Sequence, residues 1–330
     1  MTGTDFTRFI NLASPRLGAE VTFATDDFFA DKARLISPEA PVFIPGKYDD
    51  NGKWMDGWES RRKREAGHDH AVIRLGARAL VHGVDIDTSH FTGNFPPAAS
   101  VDACVSECDV PGADADWQEI VPATDLQGDS HHLIAVDGGA AWTHLRLNIY
   151  PDGGVARLRV YGSVDKHWTA ADADNTVDLL AIENGGRPIV ANNEHFGVLA
   201  NIMLPGKGLN MGDGWETRRR REPGNDWAIV ELGHPGTLER VLVDTAYFKG
   251  NFPSHVSLQA ALVTGGTDAS LTVESQFWRE LLPKQPLTAD AEHVFTGELA
   301  APGPISHVRI NIFPDGGISR LRLFGKPTIG

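Results

Sequence analysis

Hydrophobic and polar residues alternate with a period of two along several stretches of this chain. The segments HLRLNIY at 144–150 and HVRINIF at 307–313 each place three aliphatic side chains on one side and three polar side chains on the other. The segment ALVHGVDIDT at 79–88 alternates in the same way. This period predicts β-strands with one face toward a core. The polar positions of the first two segments are His144, Arg146, Asn148, His307, Arg309 and Asn311.

No long segment has the apolar period of an amphipathic helix, so we expect an all-β protein. The tetrapeptide PDGG follows two of the predicted strands, at 151–154 and 314–317. Proline presets φ and glycine accepts positive φ, which predicts a turn at each place. Because a strand-like segment, VARLRVYG at 155–162, comes next, the order predicts an antiparallel hairpin.

The chain contains the same sequence blocks twice, in the same order. The decapeptides DGWESRRKRE and DGWETRRRRE share eight of ten positions, and DTSHFTGNFP returns as DTAYFKGNFP. These patterns predict two copies of one β-sandwich, most simply a jelly roll, at 1–168 and 169–330. The paired blocks are 56–65 and 213–222, 87–96 and 244–253, and 144–162 and 307–325.

Charge and cysteine content narrow the function classes. The formal net charge of −14 argues against general binding to nucleic acid or to anionic membranes. No stretch approaches the length of apolar residues that a membrane span needs, and residues 1–18 lack the apolar core of a signal peptide. The two cysteines, Cys104 and Cys108, cannot form a disulfide framework for this chain, so we expect a cytoplasmic protein.

The arginine clusters of the decapeptides are the strongest candidate for chemistry. Guanidinium groups bind carboxylates in a bidentate geometry. A glutamate precedes each cluster by two residues, so each copy offers an acidic side chain beside several positively charged ones. Two interpretations stay open, namely binding of an anionic ligand and bracing of loops or domains. The residues concerned are Glu59, Arg61, Arg62 and Arg64 in the first copy and Glu216, Arg218, Arg219 and Arg221 in the second.

The alternating polar positions and the histidines supply further candidates. The polar side of the strand at 144–150 can line a shallow site, although a solvated outer face explains it as well. The asparagines of GNFP, Asn94 and Asn251, are interpreted as loop formers. The histidines of HDH at 68–70 and of HH at 131–132 can bind a metal jointly, but no close-spaced ligand motif is present. In the second copy Ala261 and Gly265 replace the cysteines, which argues against a thiol nucleophile.

Several blocks resemble a known family. The segment at 226–253, together with HVRINIFPDGGISRLRLFG, looks like the galactose-binding-like jelly roll. The tandem copies of DGWE[ST]RR, DTxxFxGNFP and NI[YF]PDGG look like allantoicase, the allantoate amidinohydrolase of purine breakdown. ATDDFFADKARLI, at 24–36, is similar to the opening motif of that family, and the resemblance covers about 17–325.

The resemblance implies a hydrolase that acts on C–N bonds in linear amidines and converts allantoate to (S)-ureidoglycolate and urea. A carboxylate clamp, amide groups for the ureido substituents and a general acid–base pair are needed. The candidates for substrate binding are Arg61, Arg62, Arg218, Arg219, Asn148 and Asn311. The candidates for acid–base catalysis are Glu59, Glu216, His132, His144, His293 and His307.

We expect no cofactor, with a divalent metal left open, and a homo-oligomer with allantoate as its small-molecule partner. A different function class also fits the fold, because the same jelly roll occurs as a carbohydrate-binding module without catalytic activity. Such a module is usually appended to another domain, and its sites favour exposed aromatic side chains over arginine clusters. Turnover of allantoate without affinity for sugars separates the two alternatives.

Overall fold

The chain forms two compact units, Met1–Asp165 and Lys166–Gly330. The structure is a computed structural model that describes residues 5–301 and 303–329. The regular secondary structure of each unit is mainly β-strand, and the principal strands follow in the same order in both. Among the described residues, a short strand pair at 48–53 occurs in the first unit and a short α-helix at 268–274 in the second. The duplicated sequence blocks thus correspond to two copies of one fold, and the all-β prediction is confirmed.

The first unit contains twelve strands within its described residues. They are β1 (Ile10–Asn11), β2 (Glu20–Ala24), β3 (Tyr48–Asp49), β4 (Gly52–Lys53), β5 (Trp58–Glu59), β6 (Asp69–Asp87), β7 (Ala98–Cys104), β8 (Gln118–Asp125), β9 (His131–Ala135), β10 (Ala141–Tyr150), β11 (Gly154–Val155) and β12 (Arg157–Val164). Short 3₁₀ helices occupy Asp5–Arg8, Pro15–Leu17 and Lys32–Ile36.

One long strand, β6, contributes to both layers of a β-sandwich. Its first half, residues 69–74, pairs with β2 on one side and β10 on the other, and β7 and β8 extend this layer. Its second half, residues 79–87, pairs with β12 and β9, and β1 extends the second layer. Gly76 lies between the halves, where an added Cβ would meet the carbonyl oxygen of Leu17 at 2.4 Å. A residue without a side chain is therefore required where the strand changes layers.

The hairpin predicted at PDGG is wrong. Strands β10 and β12 are not hydrogen-bonded to each other, because β6 lies between them in the strand order. The chain after β10 crosses from one layer to the other, and the last residue of PDGG, Gly154, and the residue after it, Val155, pair with Glu59 and Trp58 instead. PDGG therefore forms the crossing between the layers, and the decapeptide at 56–65 pairs with the end of this crossing.

The second unit repeats this arrangement. Its strands are β13 (Val177–Asp178), β14 (Arg187–Ala191), β15 (Trp215–Glu216), β16 (Asp226–Asp244), β17 (His255–Ala261), β18 (Arg279–Pro286), β19 (Glu292–Phe295), β20 (Ile305–Phe313), β21 (Gly317–Ile318) and β22 (Arg320–Pro327). Strand β16 pairs with β14 and β20 through its first half and with β22 and β19 through its second. The helical segments are α1 (Asp268–Glu274) and 3₁₀ turns at Ala170–Asp172, Ile182–Asn184, Leu199–Met203, Met211–Asp213 and Ser275–Phe277.

The core of the first unit lies between the two layers and confirms the alternation seen in the sequence. The aliphatic positions Leu145, Leu147 and Ile149 of β10 are fully buried, as are Val84 and Ile86 of β6. Burial of aliphatic side chains supplies the main driving force for folding such a sandwich. No helix among residues 5–301 and 303–329 has the length and apolar character needed to cross a membrane.

Candidate active site

The decapeptide of the first unit is fastened to the PDGG crossing by three hydrogen bonds. The backbone N–H of Ser60 donates to the carbonyl oxygen of Gly153 at 3.1 Å, and the N–H of Gly153 donates back to Ser60 Oγ at 3.3 Å. The N–H of Lys63 donates to Asp152 Oδ2 at 2.8 Å. In the second unit Thr217, Gly316, Arg220 and Asp315 make the corresponding contacts.

The GNFP block packs against the same crossing. The N–H of Gly154 donates to the carbonyl oxygen of Asn94 at 2.7 Å, and the N–H of Gly317 donates to that of Asn251 at 2.8 Å. Gly153 has a φ of +142°, and an added Cβ would meet Pro96 N at 2.6 Å. Glycine is therefore required here for both its conformation and the close approach. Three blocks far apart in the sequence thus meet at one place in each unit.

Several decapeptide positions serve the structure. Arg157 of β12, only 2% exposed, donates from Nη2 to Asp56 Oδ2 at 2.8 Å and from Nη1 to the carbonyl oxygen of Asp56. Trp58 is fully buried. Lys63 Nζ lies 2.8 Å from Oδ1 of the buried Asp69. The first, third and eighth positions of the decapeptide therefore hold the loop in place, and none of them is among the glutamates and arginines for which ligand binding and bracing were left open.

Glu59, the fourth position, is a buried carboxyl group beside a cavity. The side chain is 9% exposed, and Asn94 Nδ2 donates to Glu59 Oε1 at 2.8 Å. Burial raises the pKa of Glu59 above its usual value, and the hydrogen bond from Asn94 offsets part of this shift. The cavity has a volume of about 660 Å³, and Arg62, Pro97 and Pro151 are also among its lining residues. A protonatable group, an amide and a guanidinium therefore line one cavity.

The second unit keeps the same pair in a more open setting. Asn251 Nδ2 donates to Glu216 Oε1, and the sulfur of Met211 lies 3.8 Å from the same nitrogen. Glu216 is only partly buried, whereas Glu59 is buried. Strands β5 and β15 hold the two glutamates at equivalent positions, opposite Gly154 and Gly317.

The predicted arginines have different surroundings in the two units. In the first, Arg61 Nε and Nη2 each lie 2.7 Å from Asp26 Oδ2. Burial alone acts to raise the pKa of Asp26, but the hydrogen bonds from Arg61 hold it below its usual value. In the second unit, Asn193 takes the place of Asp26. Its Oδ1 accepts a hydrogen bond from the backbone N–H of Arg218 but none from the guanidinium of that residue. Arg61 is therefore neutralised by a carboxylate, and Arg218 is not.

Arg62 and Arg219 are exposed, and neither side chain makes a hydrogen bond or ion pair with another residue within 5–301 and 303–329. Arg62 lines the cavity beside Glu59, and Arg219 lines a second cavity, described below, in the other unit. Both guanidinium groups keep their donors available for a ligand.

The polar side of β10 is covered, so the expectation of a solvated outer face is wrong. His144 and Asn148 are buried, and His307, Arg309 and Asn311 are buried in the second unit. Arg146 packs against Trp117, with its guanidinium carbon 4.5 Å from the ring centroid. Trp117, which precedes β8, covers part of this face, and the alternation of β10 alone does not reveal it.

A hydrogen-bonded network fills this covered face in the first unit. Arg146 Nη2 and Asn148 Nδ2 donate to Asp102 Oδ2 at 2.7 and 2.8 Å. Asn148 Nδ2 also lies 3.0 Å from Ser100 Oγ, and His68 Nε2 lies 3.3 Å from Asn148 Oδ1. Asn148 is thus engaged on both sides of its amide.

In the second unit the equivalent network contains fewer titratable groups. Gln259 occupies the register position of Asp102, and Trp227 occupies that of His70. Asn311 Nδ2 lies 3.1 Å from Gln259 Oε1, and Arg309 Nε donates to Asn311 Oδ1 at 3.1 Å. Arg309 stacks on Trp227 with 4.2 Å between the guanidinium carbon and the ring centroid.

Two of the candidate histidines, His132 and His293, have both ring nitrogens engaged in loop contacts. His132 Nδ1 lies 2.8 Å from the carbonyl oxygen of Ile86, and its Nε2 accepts the N–H of Gln127 at 2.9 Å. His293 contacts the carbonyl oxygen of Val243 and the N–H of Thr288 in the same way. The structure does not bring either ring to the glutamate of its unit.

The other two, His144 and His307, lie on the covered polar face. His144 Nδ1 lies 2.9 Å from Thr143 Oγ1, and His307 Nδ1 lies 2.9 Å from Ser306 Oγ. Burial lowers the pKa of both, with nearby Arg74 acting in the same direction on His144. They are at the far end of β10 and β20 from the PDGG crossing, six residues or more along the strand.

The histidines of HDH and HH are not brought together. His70 lies at the start of β6 and His68 just before the strand, with ring centroids 6.2 Å apart, whereas His131 pairs with Asp85 in the other layer. Nowhere within 5–301 and 303–329 do three His, Cys, Asp or Glu side chains form a group able to hold a metal ion. Burial raises the pKa of Cys104 to about 11, which disfavours a thiolate there.

The sequence analysis did not identify two residues that contribute to the candidate site, Asn94 and Asp26. Asn94 was interpreted as a loop former, yet its side chain contacts the buried carboxyl group. Asp26 was not singled out, although ATDDFFA and ANNEHFG can be aligned and place it opposite Asn193. The occurrence of Asn94 in both copies was a signal, but only the contact itself identifies its partner.

Comparison with known proteins agrees with this architecture. The family model described as the allantoicase repeat matches residues 10–165 and 177–328. A probable allantoicase 2 of Burkholderia pseudomallei is 63% identical over 319 residues, which are 97% of this chain and 95% of that protein. A probable allantoicase of Ralstonia nicotianae is 61% identical over 322 residues, with 97% and 96% covered.

A solved structure is also similar along nearly the whole length. The crystal structure of allantoicase from Saccharomyces cerevisiae has a TM-score of 0.79 and 35% sequence identity, and the match covers 96% of this chain and 92% of that one. Both the repeat pattern and the full-length identity extend through the three blocks that meet beside Glu59. The chain belongs to the allantoicase family.

Proposed function

We propose that the cavity beside Glu59 is where this chain carries out its reaction, the hydrolysis of allantoate to (S)-ureidoglycolate and urea. The observation that carries the proposal is the buried carboxyl group of Glu59, whose pKa is raised and which Asn94 holds at 2.8 Å beside Arg62. The cavity volume of about 660 Å³ is in the range of small-molecule sites.

Glu59 acts as the general acid. Its proton moves to one ureido nitrogen on the central carbon of allantoate, and the C–N bond breaks with its electron pair on the departing urea. The lone pair of the other ureido nitrogen forms a C=N bond as the first one leaves. Water then adds to that carbon and returns a proton to the Glu59 carboxylate, which gives ureidoglycolate. A raised pKa suits this task because it keeps more of the carboxyl group protonated near neutral pH.

Arg62 binds the substrate carboxylate. The guanidinium lines the same cavity, and its donors are not used by other residues within 5–301 and 303–329. A charge-assisted bidentate contact would fix the central carbon relative to Glu59. Arg61, by contrast, is held by Asp26 and positions the loop.

We place the reaction in the first unit because its glutamate, Glu59, is more buried than Glu216. Desolvation is what raises a carboxyl pKa, and Glu59 is buried where Glu216 is only partly so. The reaction as written needs neither a metal nor an organic cofactor, and we propose that none takes part. We also propose that the chain forms a homo-oligomer and that it is cytoplasmic. The free thiols of Cys104 and Cys108 support the second proposal, because the cytoplasm is a reducing compartment.

The test compares two isosteric variants, Glu59→Gln and Glu216→Gln. Glutamine can accept the same hydrogen bond from asparagine but cannot donate a carboxyl proton. We expect Glu59→Gln to lower kcat by about 100-fold or more, in the range of losing a general acid, and Glu216→Gln to stay within about threefold of the parent. Urea, ammonia and ureidoglycolate are measured separately, before and after chelation.

A fall in kcat with Glu216→Gln and not with Glu59→Gln would move the site to the second unit. Ammonia in place of urea would show attack on the ureido carbonyl instead of the central carbon. Activity lost on chelation and restored by a divalent cation would overturn the metal-free mechanism. Sugar binding without turnover would be the behaviour of a carbohydrate-binding module.

A further inference from the structure

The second unit has a basic cavity whose chemistry differs from that of the first unit. It has a volume of about 370 Å³ and is lined by the decapeptide arginines together with Asn192, Asn193 and two acids, Glu222 and Asp226. The arginines are Arg218, Arg219, Arg220 and Arg221. We call it the basic cavity.

One substitution between the repeats sets its charge. Asp26 in the first unit neutralises Arg61 through two contacts of 2.7 Å. Asn193 at the equivalent place accepts the backbone N–H of Arg218 at 2.8 Å and supplies no negative charge. The guanidinium of Arg218 makes no hydrogen bond or ion pair with another residue within 5–301 and 303–329, and the same holds for Arg219 and Arg221.

The two acids do not cancel this charge. The buried Asp226 is already occupied, since Arg220 Nη1 and Asn192 Nδ2 both donate to its Oδ1 at 2.8 Å. The charge of Arg220 is therefore balanced by Asp226, which leaves the guanidinium groups of Arg218, Arg219 and Arg221. Glu222 is exposed and lines the cavity together with the three arginines that have no ion-pair partner among the described residues.

We propose that the basic cavity binds a small oxyanion with at least two negative charges, of the phosphate or dicarboxylate type. Planar guanidinium groups satisfy such oxygens in pairs, and a lone carboxylate would leave several of these donors unused. The cavity is distinct from the one beside Glu59, and its role outside the reaction rests on the proposed function. An anion bound here stabilises the decapeptide loop of the second unit.

The experiment exchanges the residue that distinguishes the repeats, in the full-length chain. Asn193→Asp introduces the carboxylate of the first unit, and Asp26→Asn removes it there. Both changes are isosteric, and the Oδ1 atoms that accept the backbone hydrogen bonds remain in place. Binding is measured by titration calorimetry with inorganic phosphate in one arm and malonate in the other, at low and moderate salt.

The parent should bind about one anion per chain, with affinity that falls as salt rises. Asn193→Asp should weaken this binding by on the order of tenfold, the loss of about one charge-assisted contact. Asp26→Asn should add a second anion per chain by freeing Arg61. Arg221→Gln should weaken binding, whereas Arg64→Gln at the equivalent place should not. The arm that binds more tightly identifies the source of the oxyanion.

Three outcomes would overturn the inference. One is the lack of saturable binding of either anion by the parent. Another is a stoichiometry and affinity that neither Asn193→Asp nor Asp26→Asn changes. The third is a parallel loss of allantoate turnover and anion binding in Asn193→Asp while Glu59→Gln stays active, which would make the basic cavity the substrate site. Failure of Glu59→Gln to reduce turnover, with anion binding as predicted, would contradict the proposed catalytic residue alone.

Discussion

Asn94 Nδ2 donates to Glu59 Oε1 at 2.8 Å, so an amide contact joins the GNFP block to the decapeptide in the first unit. The contact orients one oxygen of a carboxyl group that burial holds at a raised pKa. The same pair, Asn251 and Glu216, recurs in the second unit with a less buried glutamate. The relation between the two residues is therefore common to the fold, and the extent of burial distinguishes the units.

Replacing Asn94 by leucine should shift the pH dependence of turnover. Leucine has the same branched shape but no donor, and loss of the hydrogen bond to the carboxylate raises the pKa of Glu59 further. If Glu59 is the general acid, activity falls as pH rises through this pKa, so the alkaline limb of the kcat profile should move to higher pH. Asn251→Leu is the matched control and should leave the profile in place. A shift to lower pH would contradict the assignment.

Arg62→Gln should raise KM for allantoate by about 10- to 100-fold with a smaller change in kcat. The reason is that a charge-assisted contact to a carboxylate contributes roughly 1.5–3 kcal/mol and is made in both the ground state and the transition state. Steady-state kinetics on the parent, Arg62→Gln and the matched variant Arg219→Gln would measure these changes in KM and kcat. Equal increases in KM for both variants would show that the two units share the clamp.

Much of the fold could be predicted from the sequence because its signals are local. The alternation at 144–150 identified Leu145, Leu147 and Ile149 as core residues, and all three are fully buried. The block repeats identified two copies of one fold. Strand neighbours could not be predicted in this way, because the 19-residue β6 belongs to both layers and separates β10 from β12.

The site was only partly predictable, since side-chain surroundings depend on contacts between distant segments. Arg61 and Arg62 are adjacent and chemically identical, yet one is paired with Asp26 and the other faces a cavity. His132 is a plausible base by residue type, but the carbonyl oxygen of Ile86 and the N–H of Gln127 engage both of its ring nitrogens. Residue type and spacing contain neither of these distinctions.

Asp56→Ala should destabilise the first unit by about 3–5 kcal/mol, because it leaves the buried guanidinium of Arg157 without its carboxylate. Thermal unfolding combined with limited proteolysis would locate the effect, with early cleavage expected within 5–165. Asp213→Ala removes the equivalent partner of Arg320 and should direct cleavage to 166–329. A loss below about 0.5 kcal/mol in either variant would mean that backbone carbonyl contacts suffice for the arginine.

The pair His131–Asp85 should make the stability of the first unit depend on pH. His131 Nδ1 lies 2.8 Å from Asp85 Oδ2, and this hydrogen bond raises the pKa of His131 despite the opposing effect of burial. A raised folded-state pKa means that the folded protein binds the proton more tightly than the unfolded chain. The stabilisation is therefore complete below the unfolded pKa of about 6.5 and is lost as pH rises through the folded pKa.

His131→Ala should consequently lower Tm relative to the parent near pH 5.5, and the difference should shrink toward zero near pH 9, well above the usual histidine range. Asp85→Asn removes the charge that holds the proton and should abolish the same pH dependence. Glu292 replaces the histidine in the second unit, where Lys207 Nζ lies 3.0 Å from its Oε1. Glu292→Gln is thus a control that should leave the pH dependence between 5.5 and 9 unchanged, because no histidine proton is involved in that pair. A Tm difference for His131→Ala that grows with pH would contradict the linkage, since only a lowered pKa gives that sign.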